Sequence, residues 1–137
     1  ILERGLSGQD PEVTPVITPE EVLTAQRDLL DVHIEEGLRD YVVRLVSATR
    51  DPEGSRLQVL KPLIAYGASP RAGLSLAAAA RAHAFLDGRG YVTPDDIKTL
   101  AADVLRHRIV LTYEAEAQEL TPDDIVVRVL EGVDLPS

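Results

Sequence analysis

The stretch "GASPRAGLSLAAAARAHAFLDGRGYVTPDDIKTLAADVLRHRI", residues 67–109, decides the fold. It holds two helix starts and one helix stop. Ser69-Pro70 and Thr93-Pro94 each place a hydroxyl at an N-cap and proline at the first helical position. "DGRG" at 87–90 ends the first of the two helices. Between them, "LSLAAAARAHAF" at 74–85 is apolar on nearly every side. A helix over about 70–87 with that composition belongs at the centre, its alanines letting neighbours approach closely. The helix over about 94–108 carries Ile97, Leu100, Ala101, Val104, Leu105 and Arg108 as a stripe. "RHR" at 106–108 falls at its C-terminus, where the helix dipole favours cations.

Outward from this stretch, Glu35–Thr49 has the clearest periodicity. Leu38, Tyr41, Val42, Leu45, Val46 and Thr49 fall at i, i+3, i+4, i+7, i+8 and i+11 and form one buried stripe. Thr18 caps a helix over about 19–30, with Val22, Ala25, Leu29 and Val32 near one face, and the chain breaks around Val32–Ile34. Thr121 caps a last helix over about 122–132, with Ile125, Val126, Val129 and Leu130 apolar. "DPEG" at 51–54 is a turn signal, and Leu57–Leu60 and Leu63–Tyr66 cover part of the core. Residues 1–17 mix Gly, Pro and Asp and read as a linker with a short extended piece at Val13–Ile17. No segment shows sustained strand alternation. The caps recur without similarity between the segments they open, so there is no internal repeat. The expected fold class is all-α, a bundle of four or five helices.

The 137 residues suit one domain. The absence of cysteine removes disulfides, thiolate metal sites and a Cys nucleophile. A net charge of -9 opposes a surface built to neutralise phosphate backbones, and one Phe with four Tyr leaves little for base stacking. Nucleic acid is therefore not an expected partner. No apolar run approaches the roughly 18 residues of a membrane span, and residues 1–17 lack the blocks of a signal peptide, so the expectation is a cytoplasmic chain without a membrane partner. A chain beginning at Ile reads as an excised fragment.

Metal chemistry finds no pattern. His33, His83 and His107 are widely spaced, with no i, i+4 pair. His83 on the Ala-rich helix reads as a packed core residue, and His107 as a C-terminal cation. The acids of "TPEE" at 18–21 and "TPDD" at 93–96 and 121–124 occur three times in capping context and read as caps. Neither Ser69 nor Ser75 sits in G-x-S-x-G, and no G-x-x-x-x-G-K-[ST] occurs, so the chain alone cannot cradle a triphosphate in the Walker manner.

One helix start breaks the rule. "SPRA" at 69–72 keeps the hydroxyl and the proline but puts Arg71 where the acids belong. A cation in the first turn costs about 0.3–1 kcal/mol against the dipole. An anion held between guanidinium and helix N-terminus would reverse that sign, with Gly67 and Gly73 keeping side chains clear of the ligand. Pairing of Arg71 with a surface acid is the other reading of these residues.

Residues 67–109 closely resemble the C-terminal helical lid of the MoxR family of AAA+ ATPases. G-A-S-P-R, the Ala-rich helix, G-R-x-Y-V-T-P-x-D and V-L-x-H-R all stand here in order. "YVVRLVSATR" at 41–50 is similar to the family's lid helix that closes on Thr-Arg, and "LTPDDIVVRVL" at 120–130 to its final element. The resemblance covers about residues 17–132, and magnesium-chelatase-type lids are the nearest relatives. It implies a helical AAA+ lid domain over 18–137, with 1–17 as linker and end of an α/β core that carries Walker A, Walker B and sensor 1. It implies that Arg71, with Ser69 and Pro70, is the sensor 2 element that reaches the γ-phosphate of ATP bound with Mg²⁺. It implies a hexameric ring with neighbouring subunits, and a chaperone-like ATPase that assembles or activates partner metalloenzymes. Without the core this chain should not hydrolyse ATP. The alternative is a stand-alone helical interaction module with no nucleotide role.

Overall fold

The hydroxyl–proline pairs at Thr18, Ser69, Thr93 and Thr121 each start a helix, whereas Thr14-Pro15 does not. The structure, a computed structural model, describes residues 13–52 and 56–136. Among these residues there are six α-helices: α1 (Pro19–Asp28), α2 (Glu36–Arg50), α3 (Pro70–Leu86), α4 (Pro94–Leu105), α5 (Tyr113–Ala117) and α6 (Pro122–Gly132). Thr18 and Thr121 cap as their sequence predicts. The Thr18 hydroxyl accepts from Glu21 N–H at 3.2 Å, and the Glu21 carboxylate accepts from Thr18 N–H at 2.7 Å. Thr121 and Asp124 repeat this at 3.3 and 2.7 Å.

The α2 stripe is buried as expected, Leu38 through Thr49. It faces α3, which lies between α2 and α4. On α3 the residues Ala72, Leu76, Ala80 and Ala84 are fully buried and recur every four positions. Three of the four are alanine, so the helix backbones come close, and Leu76 fills the remaining space. From α4, Ile97, Ala101 and Leu105 complete the layer, and Ile125, Val126 and Val129 of α6 close it. Burying a side chain such as Leu76 or Ile97 contributes about 1.5–3 kcal/mol.

Six expectations change. The Ala-rich α3 is not surrounded: Leu74 and Leu86 are exposed, because one face meets solvent. Helix α1 buries no residue, and its Val22 is exposed; the chain buries Val32 and Ile34 only after a 3₁₀ turn at Leu29–Asp31. Two short strands form an antiparallel ribbon, β1 (Ile64–Tyr66) with β2 (Val110–Leu111), too short for alternation to register. Val13–Val16 form no strand and are exposed where described; residues 1–12 of the expected linker and part of the "DPEG" turn lie outside the described residues. The helix predicted over 94–108 ends as α4 at Leu105 and continues as a 3₁₀ turn over Arg106–Arg108. Helix α5, opened by Thr112, is one the periodicity did not reveal.

Candidate functional site

The first turn of α3 is anchored from α2. The buried Thr49 hydroxyl donates to Val46 C=O at 2.7 Å and accepts from Ala68 N–H at 2.9 Å. Gly67 lies so close to the Thr49 backbone that a Cβ there would stand 2.1 Å from Thr49 O. Gly67 therefore serves close backbone approach and not ligand clearance. Gly73 also faces inward, toward Val42 and Val46. Both depart from the expectation that they keep space for a ligand.

This anchored loop delivers Ser69, Pro70 and Arg71 to the surface, where all three are exposed. Ser69 is the N-cap, with Pro70 at the first helical position, but the Ser69 hydroxyl makes no capping bond. Only its carbonyl takes part, accepting from Ala72 N–H at 2.8 Å. No acid stands in the first turn. Among the described residues Arg71 makes no ion pair, so the surface-acid reading finds no partner there. An exposed guanidinium, a helix start without a hydroxyl bond and no local acid can receive an anion. They offer nothing to a metal ion.

The other end of α3 is built oppositely. Gly88 takes φ +72° and lets its N–H donate to Phe85 C=O at 2.9 Å, while Arg89 N–H donates to Ala84 C=O at 2.8 Å. That turn aims Arg89 at Asp96, which is buried. Arg89 holds both carboxylate oxygens, Nη2 to Oδ1 at 2.6 Å and Nη1 to Oδ2 at 2.9 Å. Thr93 donates its N–H at 2.7 Å and its hydroxyl at 2.9 Å to Oδ2. His83 Nδ1 lies 2.6 Å from Oδ1. The Arg89 bond, against the opposing effect of burial and helped by the Thr93 and His83 bonds, holds the Asp96 carboxyl far below the usual range. The Asp96 carboxylate, and after it that of Asp87, push Arg89 up.

His83 is therefore an edge residue bonded to Asp96, not a packed core histidine. Its side chain is 36% exposed, and Ala80 and Ala84 take the core positions on this part of the helix. His83, Asp87 and Asp96 offer converging ligand atoms, a convergence that no spacing rule announced. Arg89 already binds both carboxylates, with Asp87 at 3.1 Å, and supplies the positive charge a metal would bring.

The class of this helical bundle is given by its likeness to known proteins: it is a lid-type domain. Residues 57–129 match the AAA lid domain family, and the chain belongs to that family, in its MoxR-type branch. It is 44% identical over 126 residues to Chaperone MoxR1 of Mycobacterium tuberculosis, covering 92% of this chain and 33% of that one. It is 40% identical over 96 residues to Protein MoxR of Paracoccus denitrificans, covering 66% and 28%. A solved structure of a proposed ATPase from Cytophaga hutchinsonii superposes with a TM-score of 0.90 at 37% identity, covering 99% of this chain and 42% of that one. The chain thus spans about a third of the length of the curated relatives it matches.

Proposed function

We propose that this chain is the nucleotide-closing lid of a chaperone-like AAA+ ATPase, with Arg71 as its sensor 2 arginine. The observation that carries the reading is the unmatched, exposed Arg71 at a helix start fixed by Thr49. In this reading residues 18–137 are the lid, and 1–17 lead from an α/β core that binds ATP and Mg²⁺. Ser69 and Pro70 shape the turn, and Arg71 contacts the terminal phosphate when the lid closes. The donors here suit phosphate oxygens; the metal ligands belong to the core. Neighbouring subunits in a hexameric ring, a metalloenzyme client and a cytoplasmic setting follow from the same reading. No helix among the described residues is long and apolar enough to cross a membrane.

An arginine that neutralises charge on a transferring phosphoryl group is worth about 10³-fold or more in turnover. Arg71→Ala in the full-length protein is expected to reduce steady-state ATP turnover by that order. Arg71→Lys rescues poorly, since a point charge on a flexible stem lacks the planar fork. The isolated chain, with one arginine and one helix end, is expected to bind ATP weakly or not at all and to be inactive. Normal turnover in the Arg71→Ala protein, or micromolar ATP affinity of this chain by calorimetry, overturns the assignment.

A further inference from the structure

The "RHR" run at 106–108 does not act as one block of C-terminal cations. Arg106 is matched by acids: Nε lies 2.9 Å from Asp123 and Nη2 3.1 Å from Asp103. Arg108, two residues on, has no acid partner among the described residues. It is nevertheless pinned. Its Nη1 donates to Val104 C=O at 3.3 Å and to His107 Nε2 at 2.6 Å. Arginine can only donate, so His107 accepts here, in the tautomer with its proton on Nδ1. The Nη2 atom crosses to α3 and lies 3.4 Å from the Ser75 hydroxyl oxygen. Ser75 donates in turn to the carbonyl of Arg71 at 3.2 Å.

We propose that Arg108 is a positioning residue for Arg71. The reading rests on the phosphate role of Arg71 proposed above. Antiparallel packing of α3 and α4 brings the end of one helix beside the start of the other. Residues 71 and 75 are one turn apart on one face of α3, so Arg108 stands one turn behind Arg71 on that face. It does two things there. Through Ser75 it ties the first turn of α3 to the end of α4. Its fixed charge, held by neutral partners, raises the positive potential at the α3 start without lending the anion an acid to compete with. A chain with 23 acids places none of the described ones against either arginine.

A plain helix-capping role predicts only lost stability, so the test reads turnover and coupling. Steady-state ATPase assays on the full-length protein, with Mg-ATP varied, compare Arg108→Ala, Arg108→Lys, Ser75→Ala and each of these combined with Arg71→Ala. Arg108→Ala is expected to lower kcat about tenfold, and Ser75→Ala about threefold. Arg108→Lys should restore the melting temperature but not kcat, since Lys can reach Val104 C=O but cannot span His107 and Ser75 together. In the Arg71→Ala background neither change should cost anything further, because both act through Arg71. Losses that multiply, or full turnover in Arg108→Ala beside a crippled Arg71→Ala, overturn the inference and leave the sensor reading intact. If Arg108→Ala fails to fold, Ser75→Ala decides, and normal turnover there overturns it. Normal turnover in Arg71→Ala alone removes the sensor reading and this inference with it.

Discussion

Arg71 and Arg89 stand at opposite ends of α3 and share nothing but the side chain. Arg89 meets two carboxylates, one of them buried, and is fixed by a glycine turn. Arg71 is exposed, follows a cap whose hydroxyl is unused, and meets no acid among the described residues. The difference separates a stabilising cation from one that, on the function proposed above, is reserved for a ligand. A protein neutralises the charges it keeps for itself, since a buried carboxylate without its partner is costly. A charge kept for a phosphate has to wait unmatched.

The widest test of that contrast removes each arginine in turn and melts the chain. Arg89→Ala strips the buried Asp96 of its bidentate partner and is expected to lower the melting midpoint more than any other change named here. Arg71→Ala should leave the midpoint within about 2 °C of the parent or raise it slightly, because an unfavourable charge–dipole contact is lost. A large fall on Arg71→Ala would make the two ends alike and the contrast empty.

The anchoring of the Arg71 turn predicts the next effect. A Cβ at Gly67 would stand 2.1 Å from Thr49 O and 2.7 Å from Arg50 N, and backbone cannot swing aside as a side chain can. Gly67→Ala is expected to cost roughly 3 kcal/mol in chemical denaturation, the upper range of overpacking. Gly73→Ala, whose added methyl would touch Val42 and Val46 at ordinary distances of 3.6 and 3.8 Å, should cost little. Equal effects of the two would show that Gly67 is not the close-approach position.

At the Arg89 end, acid sharpens the comparison. The folded state holds the Asp96 carboxyl below its unfolded value, so in acid the unfolded chain binds more protons. The stability from ionised Asp96 is therefore complete above about pH 5, and it fades as pH falls through about 4 and below. Asp96→Asn should lower the melting midpoint at pH 7 and flatten its decline between about pH 5 and 3. An unchanged acid slope in Asp96→Asn would assign the acid sensitivity to other carboxylates.

What sequence made legible follows from the range of the interactions. The α2 stripe, the four hydroxyl–proline starts and the "DGRG" stop are written in spacings of three or four residues, and all stand in the structure. The departure at Arg71 was legible for the same reason, since three other starts supplied the rule it breaks. Hidden were the features made by residues distant in sequence. Asp96 looks like Asp124 in an identical "TPDD", yet only Asp96 is buried, because α3 brings His83 and the Gly88 turn brings Arg89 to it. Gly67 looked like clearance for a ligand until Thr49, 18 positions earlier, proved to occupy the space. The ribbon of β1 and β2 joins residues more than forty positions apart over two or three residues each, which leaves no periodicity to read.

A second pair of helix ends gives the smallest and cleanest prediction. Helices α3 and α5 end in the same turn. In α3 the left-handed position is Gly88 at φ +72°; in α5 it is Glu119 at φ +57°. The bonds correspond, with Glu119 N–H donating to Glu116 C=O at 2.9 Å and Leu120 N–H to Ala115 C=O at 3.1 Å. A side chain with a Cβ pays about 1–2 kcal/mol to hold this conformation, and glycine does not. Glycine also frees the unfolded chain, which returns about 0.5–1 kcal/mol of that gain. Glu119→Gly removes, besides, a negative charge from the negative end of α5, an effect of a few tenths of a kcal/mol in its favour. The net expectation is a stabilisation of about 0.5 kcal/mol, or roughly 1–2 °C in the melting midpoint. Gly88→Ala imposes the same strain in reverse and should cost about 1 kcal/mol. A lowered midpoint for Glu119→Gly, with Gly88→Ala behaving as stated, would mean that the Glu119 side chain makes an interaction worth more than the strain it imposes.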